Sequence, residues 1–197
     1  MRNIDTFIPP MEPFVIWSGA FTKNECEQIK SIGELCEFAK ARIGEEDAPV
    51  TDEGIRKTDI VWIEPGDDTY WIFDRFNELA AKINFDKFQM ELSRFDGFQY
   101  SKYKTEGHYD WHNDIMLAPK NGLFRKLSFS LMLTEPEDYD GGELLFNLSG
   151  DQVNATPLKQ AMGDLIVFYS NIPHKVNPVT EGERLSLVTW ALGGKVK

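Results

Sequence analysis

Between about Phe88 and Leu192 the sequence breaks into short apolar runs separated by turn residues, and that texture leaves few folds open. The runs are Phe88 to Leu92, Phe98 to Tyr103, Lys126 to Leu133, Glu143 to Phe146, Asp164 to Tyr169 and Arg184 to Leu192. Each has strand length, and Asp140-Gly141-Gly142 and Glu181-Gly182 are turn signals between them. Many short strands at even spacing fit a sandwich or a barrel.

The N-terminal part has a different period. Thr22-Lys23-Asn24-Glu25 has the form of a capping box, with Thr at the N-cap and Glu three residues on, and predicts a helix reaching about Arg42. A second helix is predicted from Thr69 to Ile83, where Ile72, Phe76, Leu79, Ala80 and Ile83 recur at helical spacing. Gly44 to Glu53 is acidic and holds Pro49, so it is expected to be a loop. A short strand, Asp59 to Ile63, follows. The expected class is α+β, mainly β: N-terminal helices supporting an antiparallel jelly roll. The 197 residues fit one domain, with residues 1–87 as helices and flanking strands and 88–197 as the β core.

The net charge of -11, with no Lys/Arg cluster longer than a pair, argues against nucleic acid. It leans toward neutral or basic partners. No leader-like or membrane-length apolar run is present, so no membrane role is expected. Cys26 and Cys36 both fall in the first predicted helix, about 15 Å apart at 1.5 Å per residue. That is beyond disulfide reach, and two reduced thiols point to the cytoplasm.

The chemistry is concentrated around three histidines, His108, His112 and His174. Residues i and i+2 of a strand face the same side. A His-x-Asp pair therefore presents an imidazole and a carboxylate together. With a distant second His it makes the two-His, one-carboxylate set that binds Fe(II) and leaves positions open. Two registers compete, His108/Asp110 and His112/Asp114, and strand parity does not separate them. Pro173 to Val179 reads as a Pro-bounded strand carrying His174. Arg184 opens the next apolar strand; an inward-facing Arg there needs a partner, and its planar fork suits a carboxylate.

His-x-Asp, a distant His and an Arg ten residues beyond it together resemble the Fe(II)/2-oxoglutarate-dependent dioxygenases, and most of all their prolyl 4-hydroxylase branch, including the hypoxia-sensing enzymes and bacterial relatives. Tyr103-x-x-x-Gly107-x-Tyr109-x-x-His112-x-Asp114 resembles that branch's Tyr, Gly, Tyr, His-x-Asp run and favours the His112/Asp114 register. Ile55-Arg56 with Ile60 to Glu64, Asp140 to Leu144, and Gly163 to Phe168 resemble further segments, covering about residues 50 to 192.

The resemblance implies a double-stranded β-helix core and an enzyme using Fe(II), 2-oxoglutarate and O2, with ascorbate as a reductant. It implies iron ligation by His112, Asp114 and His174, and a 2-oxoglutarate site formed by Arg184 and Tyr103. The position where the family often carries a further 2-oxoglutarate tyrosine falls at Met132, which leaves Ser128 or Ser130 as substitutes. Substrate contacts fall to Tyr109, Arg125, Trp190 and Trp62, with Arg56 and Asp59 on a mobile loop. From its acidity, Pro49, Gly54 and lack of periodicity, Gly44 to Lys57 is expected to be a mobile loop over the iron face. The implied partner is a proline-containing protein or peptide; the acidic loop suggests basic residues near that proline. Alternatives are an oxygenase of the same fold acting on a free amino acid or another side chain, and a non-catalytic jelly-roll binding module.

Overall fold

The computed structural model describes residues 12–43, 50–116, 119–150 and 155–194. In chain order the elements are β1 (Phe14–Trp17), α1 (Lys23–Leu35), β2 (Ala39–Lys40), β3 (Arg56–Lys57), β4 (Asp59–Ile63), α2 (Tyr70–Ile83), a π-helical turn (Asn84–Phe88), β5 (Arg94–Tyr103), β6 (His108–His112), β7 (Phe124–Met132), β8 (Tyr139–Gly141), β9 (Leu144–Phe146), β10 (Thr156–Leu158), β11 (Leu165–Tyr169), β12 (His174–Val176), β13 (Val179–Gly182) and β14 (Arg184–Gly193). The protein is mainly β, with two α-helices among the described residues.

A seven-stranded sheet runs in the order β1-β11-β7-β14-β5-β4-β2, and a five-stranded sheet in the order β10-β9-β12-β6-β3. β8 and β13 form a separate antiparallel pair. Residues before 88 thus supply both edges of the larger sheet, β1 and β2, as well as the helices.

Alternation along the three central strands of the larger sheet decides which side is which. Phe98 and Tyr100 of β5, Leu127, Phe129 and Leu131 of β7, and Leu185 and Leu187 of β14 pack with Ile72, Phe76 and Leu79 of α2 in the main core. Phe76 is fully buried, with the rings of Phe21, Phe95, Phe98 and Phe129 around it. The opposite face carries Gln99, Ser101 and Tyr103, Ser128 and Ser130, and Arg184 and Ser186. These meet across the ladders as Arg184–Tyr103, Ser186–Ser101 and Val188–Ser130. A second apolar cluster joins this face to the five-stranded sheet through Tyr103, Ile166 and Phe168 on one side and Leu144, Phe146 and Val176 on the other. The two sheets therefore face each other, and the polar face of the larger one looks into the space between them.

Several boundaries differ from expectation. The capping box at Thr22 forms, with Thr22 and Glu25 bonded reciprocally, but α1 stops at Leu35. Cys36 is extended and lies outside the helix, because Ala39–Lys40 leave to pair with β4. Cys26 is buried, and both thiols are unpaired. Phe88 to Leu92 is not a strand: α2 runs on into the π-helical turn, and Gln89 ends it in a left-handed conformation at φ 51. Among the described residues no helix is long and apolar enough to cross a membrane.

Candidate active site

His112, Asp114 and His174 place their ligand atoms within 4.8 Å of one another. His112 ends β6 and His174 opens the adjacent β12; the two residues are direct cross-strand partners. His112 Nε2 is 3.9 Å from Asp114 Oδ1, and His174 Nε2 is 3.5 Å from Asp114 Oδ2. The opposite nitrogen of each ring meets a backbone carbonyl: His112 Nδ1 with Asp110 O at 2.8 Å and His174 Nδ1 with Ile172 O at 2.9 Å. A carbonyl only accepts, so both Nδ1 atoms carry a proton, and both Nε2 atoms turn toward Asp114.

Asp114 lies beyond the end of β6, not on it, so the i, i+2 strand argument does not describe how it comes to face His112. It is held instead from the larger sheet. Its N–H donates to Ser170 O at 2.8 Å, and Ser128 Oγ donates to its Oδ2 at 2.7 Å. Burial works against its charge, but His174, His112 and the Ser128 hydroxyl outweigh it and keep the carboxyl below its ordinary 3.8. Burial first, and His174 second, hold His112 well below 6.5. With His112 held neutral, the triad presents two imidazoles and a carboxylate, the N,N,O donor set of a 2-His-1-carboxylate Fe(II) centre.

The competing register separates cleanly. His108 turns to the Glu106 and Gly54 carbonyls, and Asp110 is exposed. The cause is a bulge in β6: His174 and Val176, two apart, pair with His112 and Tyr109, three apart. The additional residue breaks the alternation. Tyr109 then stacks on His112, with centroids 3.5 Å apart and planes 13° from parallel.

The triad lies in a cavity of roughly 940 Å³ between the sheets, also lined by Tyr103, Arg184, Tyr109, Trp62, Trp190 and Arg125. Arg184 is 2% exposed. Its Nη1 donates to Ser186 Oγ at 3.3 Å, its guanidinium sits 5.4 Å from the Tyr103 ring centroid, and its Nε has no partner. Among the described residues no carboxylate lies within ion-pair distance of it. A buried, uncompensated guanidinium on the triad's cavity fits the far carboxylate of a 2-oxo diacid. Gly142 makes room for it: a Cβ there would stand 3.1 Å from Arg184 Cδ, and its φ of 65 is itself a glycine conformation.

Two further register shifts furnish the cavity wall. One additional residue in β7, where Ala191–Leu127 is followed by Leu192–Arg125, brings Arg125 to the cavity side. One in β5, between Phe95 and Phe98, does the same for Asp96, with Gly97 at φ 111. Asp96 Oδ2 accepts from Arg125 Nε and Nη2 at 3.0 and 2.8 Å, and Arg125 lies 3.7 Å over the Trp190 ring.

Of the remaining expected site residues, Trp62 is half-exposed beside Trp190, with centroids 6.2 Å apart. Ser130 lines the cavity, whereas Ser128 supports Asp114 and is not among the lining residues. Met132, fully buried, is not among them either, so the expected cosubstrate position at Met132 is corrected; β7 has passed the cavity by then. Arg56 does not sit on a loop: it belongs to β3, which pairs with β6 opposite Tyr109. Asp59 opens β4, ion-paired with Lys40 and Lys104 away from the cavity. Residues 44–49 of the expected loop lie outside the described residues. Gln99, Asp96 and Ser170 join the site without being among the residues expected from sequence. For Gln99 the signal was present as polar residues at every second position, 99 and 101, inside an apolar strand; for Asp96 and Ser170 no signal precedes the bulge and the loop that place them.

The fold is shared with solved structures. A prolyl-4-hydroxylase from Pseudomonas putida aligns over 93% of this chain and 94% of its own, with a TM-score of 0.68 and 24% identity. A prolyl hydroxylase from Trichoplax adhaerens, solved with a hypoxia inducible factor peptide fragment, aligns over 91% and 83%, with a TM-score of 0.71 and 17% identity. In sequence, a PKHD-type hydroxylase of Colwellia psychrerythraea is 40% identical over 84 residues, 43% of this chain and 36% of that protein. The PKHD-type hydroxylase YbiX of Escherichia coli is 37% identical over 94 residues, 46% and 40%. The match thus spans about two fifths of the length of these relatives. Residues 98–192, which carry the triad and Arg184, match the family model of the 2OG-Fe(II) oxygenase superfamily.

Proposed function

We propose that this protein is an Fe(II)- and 2-oxoglutarate-dependent dioxygenase that hydroxylates a prolyl residue in a protein or peptide. The observation that carries the reading is the pairing, in one cavity, of a two-His, one-carboxylate triad with a buried Arg184 that has no carboxylate of its own among the described residues. The two facing sheets are then the double-stranded β-helix of the family. Residues 1–87 and 88–197 act as one catalytic unit, as the edge strands supplied from before residue 88 suggest. Two unpaired thiols suit a reducing compartment, the cytoplasm.

When bound, Fe(II) with O2 and 2-oxoglutarate supplies the oxidation: one oxygen atom enters a C–H bond as hydroxyl, and 2-oxoglutarate leaves as succinate and CO2. His112, Asp114 and His174 hold the metal; Ser128 orients the Asp114 carboxylate toward it. Arg184 and Tyr103 anchor the cosubstrate, and the apolar cluster behind them keeps water from that end. Tyr109, Trp62 and Trp190 form the walls for the substrate ring. Pyrrolidine suits such walls because it is apolar and has little rotamer freedom to lose. Prolyl hydroxylases among the structural neighbours, one of them peptide-bound, support the choice.

The test is incubation of proline-containing peptides with the protein, Fe(II), 2-oxoglutarate and O2, followed by fragmentation spectra. The expected result is succinate formation and a 16-dalton gain placed on proline, about the mass of one oxygen. Oxidation confined to other residues or to free amino acids removes the prolyl assignment. Absence of 2-oxoglutarate turnover with every substrate removes the enzyme.

A further inference from the structure

Arg56 is a second guanidinium in the cavity without a carboxylate. It is 9% exposed and lines the same space as the triad. Its Nη2 donates to Gln99 Oε1 at 2.7 Å, its Cζ lies 4.4 Å over the Tyr109 ring, and its Nε has no partner. No carboxylate of the described residues is within ion-pair distance of it. Arg125, a part-buried cation of the same wall, is held by Asp96, so the wall supplies a counter-ion to that guanidinium and withholds one from Arg56. A neutral amide and an aromatic face do not offset the burial of a full charge. The indole Nε1 of Trp190, 6% exposed on the same cavity, is likewise without an acceptor. The substrate side of the site thus has donors in excess.

We infer that the substrate brings a carboxylate to Arg56, placed close to the hydroxylated residue. This deepens the oxygenase reading and rests on it. The position follows from the stack: Arg56 covers one face of Tyr109, whose ring also stacks on the ligand His112. An anion on Arg56 therefore lies within about two residues of the reacting carbon, at roughly 3.3 Å per extended residue. An acidic side chain beside the proline and the α-carboxylate of the proline itself offer the same chemistry. The described wall thus favours the charge opposite to the one the acidic segment 44–53 suggests from sequence.

The experiment uses matched proline peptides with Glu, Gln or Lys at the two positions on either side of the proline, together with N-acetylproline and its amide. Dissociation constants are measured without O2, with Mn(II) and 2-oxoglutarate present, and succinate release is measured separately with Fe(II) and O2. A Glu peptide should bind about tenfold to a hundredfold more tightly than its Gln twin, the size of one charge-assisted hydrogen bond. Lys should be worst. Preference for N-acetylproline over its amide, with no Glu effect, assigns the anion to the α-carboxylate. In Arg56→Gln the Glu-to-Gln ratio should fall to about one, and Arg56→Lys should retain part of it. Equal binding of Glu and Gln peptides together with equal binding of N-acetylproline and its amide overturns the inference, as does a preference that survives Arg56→Gln. Succinate release without any carboxylate preference defeats the inference alone; no 2-oxoglutarate turnover defeats the oxygenase reading, while the binding ratios still decide on Arg56.

Discussion

Arg184→Met should separate cosubstrate binding from folding by moving them in opposite directions. Met keeps much of the side-chain volume and removes the charge. In the ligand-free protein the guanidinium is 2% exposed, with the Ser186 hydroxyl at 3.3 Å, the Tyr139 hydroxyl nearby and the Tyr103 ring at 5.4 Å. These contacts are worth about 1 kcal/mol each, against a burial cost of several kcal/mol for an uncompensated ion. The substitution should therefore leave the melting temperature of the ligand-free protein unchanged or higher. With cosubstrate the sign reverses. Breaking a buried charge pair typically costs about 3–5 kcal/mol, on the order of a hundredfold to several thousandfold in affinity. At a concentration near one hundred times the wild-type Kd, 2-oxoglutarate stabilises the native state by about 2.7 kcal/mol. For a chain of this size that is roughly 5–10 °C. The variant should show almost none of it. The assay is thermal unfolding with Mn(II), with and without 2-oxoglutarate. A variant that melts earlier without ligand, or that keeps the wild-type shift, refutes the assignment of Arg184 as an anion site awaiting its partner.

Alanine at His112, Asp114 or His174 should abolish Fe(II)-dependent activity with the fold retained, whereas His108→Ala and Asp110→Ala should keep most of it; circular dichroism and succinate release together check this, and the reverse pattern sinks the register. Ser128→Ala removes the 2.7 Å hydrogen bond to Asp114 and should weaken metal binding about tenfold to a hundredfold, read by Mn(II) titration. Because His112 is held below 6.5 in the folded state, the unfolded chain binds its proton first as pH falls, and Asp114, held below 3.8, acts in the same direction. The metal-free protein should lose stability on acidification below about 6.5, and a pH series of melting temperatures should be flatter there for His112→Ala. Phe76→Ala, which empties the centre of the aromatic core, should cost about 3–5 kcal/mol in denaturant unfolding.

Period was the readable part of this sequence. Helical spacing located α2 to within a residue, and the capping box placed the start of α1, because both depend on neighbours in the chain. The end of α1 was not readable: Ala39–Lys40 leave for β4, a partner twenty residues away. Apolar runs bounded by turn residues likewise mark β7, β11 and β14, whose ladders are regular over most of their length. Alternation did not reach the rims of the site, since it is the rule that a bulge suspends. Tyr109, Arg125 and Asp96 each owe their position to one additional residue in a ladder, and the sequence has no fixed mark for it beyond Gly97. Parity alone gave His108 and His112 equal standing for the same reason.

Charge carries the same distinction between chain and site. A net -11 describes the far field, which salt screens over roughly 8–10 Å. Among the described residues the cavity wall holds Arg42, Arg56, Lys120, Arg125 and Arg184 against Asp96 and Asp114, a local balance opposite in sign to that of the whole chain. What a ligand experiences there depends on which of these charges are already answered. Asp114 is answered by the two ligand imidazoles and Ser128, and Asp96 and Arg125 answer each other. Of the buried guanidiniums, Arg184 and Arg56 remain, lying over the rings of Tyr103 and Tyr109 respectively. A cosubstrate carboxylate at Arg184, as proposed, would meet the first requirement; a substrate without an anion would leave the second guanidinium as it stands, desolvated further by the bound chain and still unpaired.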